Sequence, residues 1–243
     1  MRNRFLICGI PRSGTSILYT LLCNTLKDIK YYEEEVSALK ISDDGETCLT
    51  KRPLDCMLLD QIFSKFEADS LKVIFTIRDP RDVICSTHVN VAYDYFIGYQ
   101  NQYFVDQKNS ISRLINPGIR SIVGEWIKHK DRSNMITVKY EDLILKKTET
   151  LLRLSDFLEV KLDAENFDIN KETKVPKGLV SSLNGIRKLD SNSIGIWKKH
   201  PVRVWQEFTN HLEFHDVMNI LDYEKSPHWF LNHFKGRLPL QIN

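Results

Sequence analysis

Phe5-Leu6-Ile7-Cys8-Gly9-Ile10-Pro11-Arg12-Ser13-Gly14-Thr15-Ser16 is the stretch that sets the architecture. Its first half is a short apolar run and reads as a buried strand. Its second half is a Gly/Pro/Ser turn. Ile17, Leu18, Leu21 and Leu22 follow at helical spacing, which predicts a helix over Ser16 to Leu26. A strand, a glycine-bearing loop and a helix in this order make an anion site, because the backbone N–H groups of Ser13 to Ser16 gather at the helix N-terminus. The spacing matches the P-loop GxxxxGK[ST] at Gly9, Gly14 and Ser16. Thr15, however, stands where the lysine belongs, and Arg12 sits earlier in the loop. In ordinary P-loop enzymes that lysine and Mg²⁺ together neutralise a triphosphate. Its replacement points to a less charged transferring group, managed by an arginine without a metal. Taken alone, the loop also reads as a turn capping a structural helix.

Further along, Ile29 to Tyr32 predicts a second strand, ending in Glu33-Glu34-Glu35. Pro53 to Phe66 predicts a helix with proline at its start and Leu54, Leu58, Ile62 and Phe66 on one stripe. Lys72 to Ile77 is a buried strand, and Asp79-Pro80-Arg81-Asp82 turns into a helix from Val83. Met135 to Lys139 is β-rich, Leu151 to Leu158 helical, and Val204 to Leu221 a longer amphipathic helix. This alternation predicts an α/β fold: a P-loop-like three-layer sandwich whose central parallel sheet has helices on both faces. Right-handed crossovers put the strand C-terminal ends and their loops on one edge.

The 243 residues read as a single domain over 1–243. Residues 93–120 predict an insertion or lid. Its aromatics, among them Tyr93, Tyr95, Phe96, Tyr99, Tyr103 and Phe104, suit an acceptor pocket and a lid core equally. Asp168 to Ser193 has weak periodicity and predicts a long loop, and residues 168–203 predict a basic loop. Within it, residues 171–203 hold eight Lys/Arg against two Asp/Glu, which suits a basic loop over an anionic ligand.

The formal net charge is only +2, so nothing marks a nucleic-acid binder. A 42% hydrophobic, 27% charged composition excludes a disordered chain and a small disulfide scaffold. Phe5 to Ile10 falls far short of the ~20 apolar residues of a membrane helix, and short of a signal-peptide core. The five cysteines are odd in number and include no CxxC, as expected of free thiols in a cytoplasmic protein. His211 and His215 are four apart but lack the HExxH pattern, so no metal is expected.

Arg78 falls at the tip of the Lys72–Ile77 strand, with Ser86 eight residues later. An arginine and a hydroxyl placed there can grip a second phosphate. A solvated Arg-Asp turn is the plainer reading of that segment by itself.

Together the two elements resemble the sulfotransferase family, whose donor is 3′-phosphoadenosine 5′-phosphosulfate (PAPS). Pro11 to Ser16 looks like the family's 5′-phosphosulfate loop, and Arg78 with Ser86 like its 3′-phosphate site. Lys139-Tyr140-Glu141-Asp142-Leu143 with Phe157-Leu158 is similar to the family's YEDL…FL segment. Gly195-Ile196-Trp197-Lys198 resembles its C-terminal Trp-basic element, and Thr50-Lys51-Arg52-Pro53 its K-x-P element, whose lysine lies near the transferring group. Arg12 leans the resemblance toward the bacterial and tyrosylprotein-type branch, in which a glutamate after the second strand is the base. Glu34 matches that place best, behind Tyr31-Tyr32. Glu33 and Glu35 stay open, because one indel moves the match by one, and at most two of three neighbours on a strand share a face. Ile196 departs from the arginine of many relatives; Lys198, Lys199 and Arg187 are candidates to compensate.

The resemblance implies metal-independent, in-line transfer of a sulfuryl group from PAPS to an acceptor hydroxyl or amine. Glu34 would be the general base. Arg12, Lys51 and the loop N–H groups would stabilise developing charge. Ser13, Gly14, Thr15 and Ser16 would position the 5′-phosphate, and Arg78 and Ser86 the 3′-phosphate. Tyr140, Trp197 and Lys198 would support the nucleotide, and the basic loop would close over it. The acceptor class is open among carbohydrate, lipid, small molecule and peptide. A P-loop-type kinase or NTPase lacking the Walker lysine is one alternative, and a non-catalytic nucleotide-binding module another.

Overall fold

The computed structural model describes residues 3–41, 45–86, 100–107, 110–164, 167–168, 173–180, 191–226 and 228–234. The chain divides into two compact units, one of residues 1–78 and 124–191, the other of residues 79–123 and 192–243.

The first unit is built on a five-stranded parallel sheet in the order β2-β3-β1-β4-β7. The strands are β1 (Arg4–Gly9), β2 (Lys30–Tyr31), β3 (Cys48–Lys51), β4 (Leu71–Ile77) and β7 (Met135–Lys139). In β1 and β4 successive residues point to opposite faces, yet Leu6, Ile7, Val73, Ile74 and Phe75 are all fully buried. Both faces of the sheet are therefore covered, as in the expected sandwich. One face packs Phe5, Ile7, Leu49, Ile74 and Val138 on Leu18, Leu21 and Leu22 of α1 (Thr15–Thr25) and on Leu151, Leu154 and Leu158 of α6 (Lys147–Leu158). Two further helices of this unit are α2 (Leu59–Lys65) and α5 (Tyr140–Leu145).

Several boundaries differ from the sequence reading for identifiable reasons. Strand β2 is only two residues long, because the Tyr19 hydroxyl takes both backbone groups of Tyr32. Tyr32 N–H donates to it at 2.7 Å, and it donates to Tyr32 O at 2.8 Å. The predicted Pro53–Phe66 helix opens as a tight 3₁₀ turn over Pro53–Leu58 before α2. There the buried Asp55 carboxylate accepts Ala38 N–H and the Arg52 guanidinium.

In the second unit, α3 (Pro80–Ile84) starts on an Asp79 cap, and a separate antiparallel hairpin joins β5 (Gln100–Gln107) to β6 (Ser110–Pro117). The hairpin occupies most of the stretch read as an insertion. Residues 93–99 lie outside the described residues. Helix α4 (Ile119–His129) follows, its residues from Gly124 on belonging to the first unit. The predicted Val204–Leu221 helix is two helices, α7 (Pro201–Asn210) and α8 (Phe214–Ile220). At ~100° per residue, a continuous helix would turn Val217 to the side opposite Val204. The break at His211 to Glu213 resets the phase, and Val204, Phe214 and Val217 are all fully buried. Helix α9 (Trp229–Phe234) completes an aromatic cluster of Trp197, Phe208, Phe214, Trp229 and Phe230.

All five cysteines are free; Cys8, Cys48, Cys56 and Cys85 are buried and Cys23 partly so. Among the described residues no helix is long and apolar enough to cross a membrane.

β1 ends where the loop crosses β4, at a point that admits no side chain. Gly9 has φ +130°, and a Cβ there would lie 2.3 Å from Thr76 O. Gly9→Ala combines left-handed strain with a backbone clash, so it should destabilise the protein by about 3 kcal/mol or more. Urea denaturation of the purified variant checks this.

Candidate active site

The phosphate loop is locked to the sheet from below. Ser13 is buried, and its hydroxyl donates into the pocket formed by Ile10 O and Thr76 O, beside the Thr76 hydroxyl. Its backbone N–H already donates to Ile10 O at 3.1 Å. Ser13 thus holds the loop's shape, and the backbone N–H groups not taken up within the loop are those of the first turn of α1. Helix geometry gives the N–H groups there no carbonyl one turn earlier. Gly14 precedes α1 with φ +86°, and a Cβ there would meet the Tyr140 ring at 2.6 Å. Arg12 itself sits in the left-handed region at φ 64°, a strained position for a side-chain-bearing residue.

Thr15, in the Walker lysine position, is buried and supplies no amine. The amine comes instead from β3. Lys51 ends that strand opposite Ile7 of β1, only 2% exposed. Its Nζ donates to Ser16 Oγ at 2.9 Å and pairs with Glu35 Oε1. Burial pulls the Lys51 ammonium below its ordinary range; Glu35 pushes back up, and the Arg12 charge adds to the lowering.

The acidic turn separates its three glutamates. Glu35 reaches Lys51 and is about half exposed (46%). Glu33 accepts the backbone N–H of Lys177 through Oε2 at 2.7 Å. Glu34 is exposed. The sequence register favoured Glu34; the residue the structure pairs with Lys51 is Glu35.

Arg78 closes the far side of the loop. It is buried, donates to Arg12 O at 3.0 Å and stacks 4.5 Å over the Tyr140 ring. Tyr140 begins α5 directly after β7, so its ring is set between Gly14 and Arg78.

In the second unit, Ser86 is buried and lies two residues past the end of α3 rather than within a helix; its N–H donates to Val83 O at 3.0 Å. Trp197 is buried in the aromatic cluster, edge-on to Trp229 at 5.8 Å. The Arg81 guanidinium stacks 4.2 Å over it, and the Lys198 ammonium lies 5.8 Å from its ring. Sequence reasoning missed Asp82, whose carboxylate accepts the N–H groups of Gly195 (2.7 Å) and Trp197 (3.1 Å) and so fixes the Trp-basic turn onto α3. A second acid three residues after Asp79 was the available signal. Arg187 lies outside the described residues.

Among the described residues, a cluster of acidic and imidazole groups lies in the first unit. Asp60, Glu125 and His129 have ligand atoms within 4.8 Å of one another. Arg132 Nε donates to His129 Nδ1 at 3.2 Å, which leaves the neutral ring's proton on Nε2, facing Asp60 at 3.2 Å. That is the arrangement of a helix-to-helix contact.

A sulfotransferase domain model matches residues 2–177, about seven-tenths of the chain. The chain belongs to the sulfotransferase family. It is 27% identical over 228 residues to mouse sulfotransferase 2A6, covering 80% of this chain and 77% of that one. Two solved structures share the fold at 14% identity. Mouse sulfotransferase SULT7A1, complexed with 3′-phosphoadenosine 5′-phosphate (PAP), has a TM-score of 0.54 and covers 92% of this chain and 89% of its own. The sulfotransferase domain of the Synechococcus PCC 7002 olefin synthase has a TM-score of 0.55, with coverages of 93% and 98%. The chain is a PAPS-dependent sulfotransferase, and the P-loop-like α/β sandwich is its fold.

The Lys51–Glu35 pair of this sulfotransferase has a direct spectroscopic consequence. Glu35→Gln removes the charge that raises the Lys51 pKa and leaves burial and Arg12 to lower it. An NMR titration of the lysine ammonium should therefore show Lys51 losing its proton at lower pH in the variant. Identical titrations would show that the pair does not form in solution.

Proposed function

We propose that this sulfotransferase moves the sulfuryl group of PAPS to an acceptor hydroxyl or amine by metal-independent, in-line displacement, with Glu35 as general base. The observation that carries this reading is the Ser16–Lys51–Glu35 chain, in which one buried ammonium reaches both a hydroxyl at the start of α1 and a carboxylate of the acidic turn. The acceptor's lone pair attacks sulfur as the bond from sulfur to the 5′-phosphate oxygen breaks. Glu35 takes the acceptor's proton. Lys51, Arg12 and the first-turn N–H groups of α1 stabilise the sulfuryl oxygens and the departing phosphate.

Gly14, Thr15 and Ser16 seat the 5′-phosphate, with Ser13 holding the loop beneath them. Arg78, braced by Arg12 O and the Tyr140 ring, takes the 3′-phosphate. Ser86, Trp197 and Lys198 stay with the nucleotide by the family pattern alone, as do the lean toward the bacterial and tyrosylprotein-type branch and the cytoplasmic location. Sulfuryl carries one negative charge fewer than phosphoryl, so two side-chain cations and backbone dipoles suffice without a divalent ion. The buried Thr15 and the β3-borne Lys51 are why a kinase reading is not preferred.

Thermal shift with PAP, ADP and ATP, each with and without Mg²⁺, tests the donor site. PAP at 100 times its Kd should stabilise the fold by roughly 2.7 kcal/mol without metal. Arg78→Ala should abolish most of the preference for PAP over ADP. Stabilisation by Mg-ATP alone would overturn the reading in favour of a kinase. Glu35→Gln should bind PAP yet lose sulfuryl transfer by roughly 10²-fold or more; full turnover in that variant would remove the glutamate base.

A further inference from the structure

The segment 174–179 lies where the sequence suggested a loop over the nucleotide, but the structure ties it to the acidic turn. Asn24, in the last turn of α1, clasps the Lys174 backbone from both sides. Its Nδ2 donates to Lys174 O at 2.9 Å, and its Oδ1 accepts Lys174 N–H at 3.1 Å. Three residues on, the 3₁₀ turn Lys177–Leu179 begins against Glu33. Lys177 N–H donates to Glu33 Oε2 at 2.7 Å, and Gly178 N–H donates to Glu33 O at 2.9 Å. The approach is so close that a Cβ at residue 178 would lie 2.8 Å from Glu33 O and 3.0 Å from Glu34 Cγ. Leu179 then plugs into the core beside Val175, which anchors the segment from behind.

Besides the strap, the Tyr19 hydroxyl holds Tyr32 just ahead of the acidic turn, and the Asp55 carboxylate holds Ala38 beyond it. The edge strand before it has two residues, and the Tyr19 hydroxyl has taken the backbone groups of Tyr32 that could have lengthened the ladder. Glu35, two residues past Glu33, is half exposed, yet it must stay against an ammonium that is almost fully buried. We propose that residues 174–179 form a strap clasping the acidic turn, and that Glu33 is a positioning residue that sets Glu35 against Lys51. Glu33 does this through its side-chain and backbone oxygens and takes no proton from the acceptor. This assignment rests on the proposed role of Glu35 and deepens it: two of the three glutamates have separate tasks, one holding the turn and one facing the reaction.

The test needs no acceptor. Glu33→Ala, Glu33→Gln and Asn24→Ala are each examined by amide hydrogen exchange, by NMR titration of the Lys51 ammonium, and by PAP binding. Glu33→Ala should speed exchange at Lys177 and Gly178 on the order of tenfold, the loss of about one net hydrogen bond. It should also move the Lys51 titration to lower pH, in the direction given by Glu35→Gln. Glu33→Gln keeps an oxygen acceptor for Lys177 N–H and should restore both signals to near wild type. Asn24→Ala loosens the strap without touching the turn and should give a weaker version of the same shift, which keeps the proposal testable should Glu33→Ala fail to fold. PAP affinity should stay within about twofold throughout, because no strap residue is placed on the nucleotide. Faster exchange with an unmoved Lys51 titration would overturn the positioning role; unchanged exchange would overturn the strap itself. Absence of PAP binding to the wild-type protein would instead strike the donor-site reading and leave the exchange and titration results to judge the strap.

Discussion

A lysine ammonium held almost out of water governs this structure. Removing such a charge from solvent is costly unless partners meet it at close range. Lys51 has a hydroxyl from the first turn of α1 and a carboxylate from the turn after β2. These groups come from three separate segments of the chain, so the cation can be satisfied only when β1, β3 and the edge of the sheet are all in register. The phosphate loop needs that order too, since Ser13 hangs from β4 through Thr76 and Arg78 reaches back to Arg12. Electrostatic demand and sheet topology thus specify the same arrangement.

The usual P-loop places its amine on the helix that follows the loop. Here the amine arrives from the neighbouring strand and approaches the helix N-terminus from the side. That leaves Thr15 free to pack inward and brings the cation within reach of a carboxylate. A cation with a carboxylate beside it suits a reaction in which a proton leaves the acceptor as charge collects on the departing phosphate.

The phosphate loop and the parallel sheet were readable because each rests on local signals: an apolar run and glycines at fixed spacing. Lys51 was reached only through the family resemblance, since a lysine ahead of a proline-started helix is by itself usually exposed. Choosing among Glu33, Glu34 and Glu35 was not possible in that way. Alternation of faces needs a strand, and β2 stops at Tyr31 because a tyrosine thirteen residues upstream takes over the backbone groups of Tyr32. The strap was invisible for a related reason. Its Lys174, Lys177 and Gly178 contacts use backbone atoms, which leave no mark in side-chain chemistry apart from the need for glycine at 178. The break between α7 and α8 was hidden by apolar residues that fit a helical period on each side of His211 but not across it.

The distribution of thiols gives the molecule an internal reporter of its own integrity. Burial raises the Cys8 and Cys56 thiols well above their ordinary range and pushes those of Cys23 and Cys85 up to about 12. The thiolate is the reactive form, so near neutral pH the native fold keeps these sulfurs chemically quiet. Once the sheet opens, each regains an ordinary thiol's reactivity. Alkylation by a reagent that senses solvent access would therefore count unfolding events one molecule at a time. Cys8 and Cys48 lie on adjacent strands β1 and β3, and Cys85 lies in the second unit, so the order in which they react would tell which part of the fold gives way first.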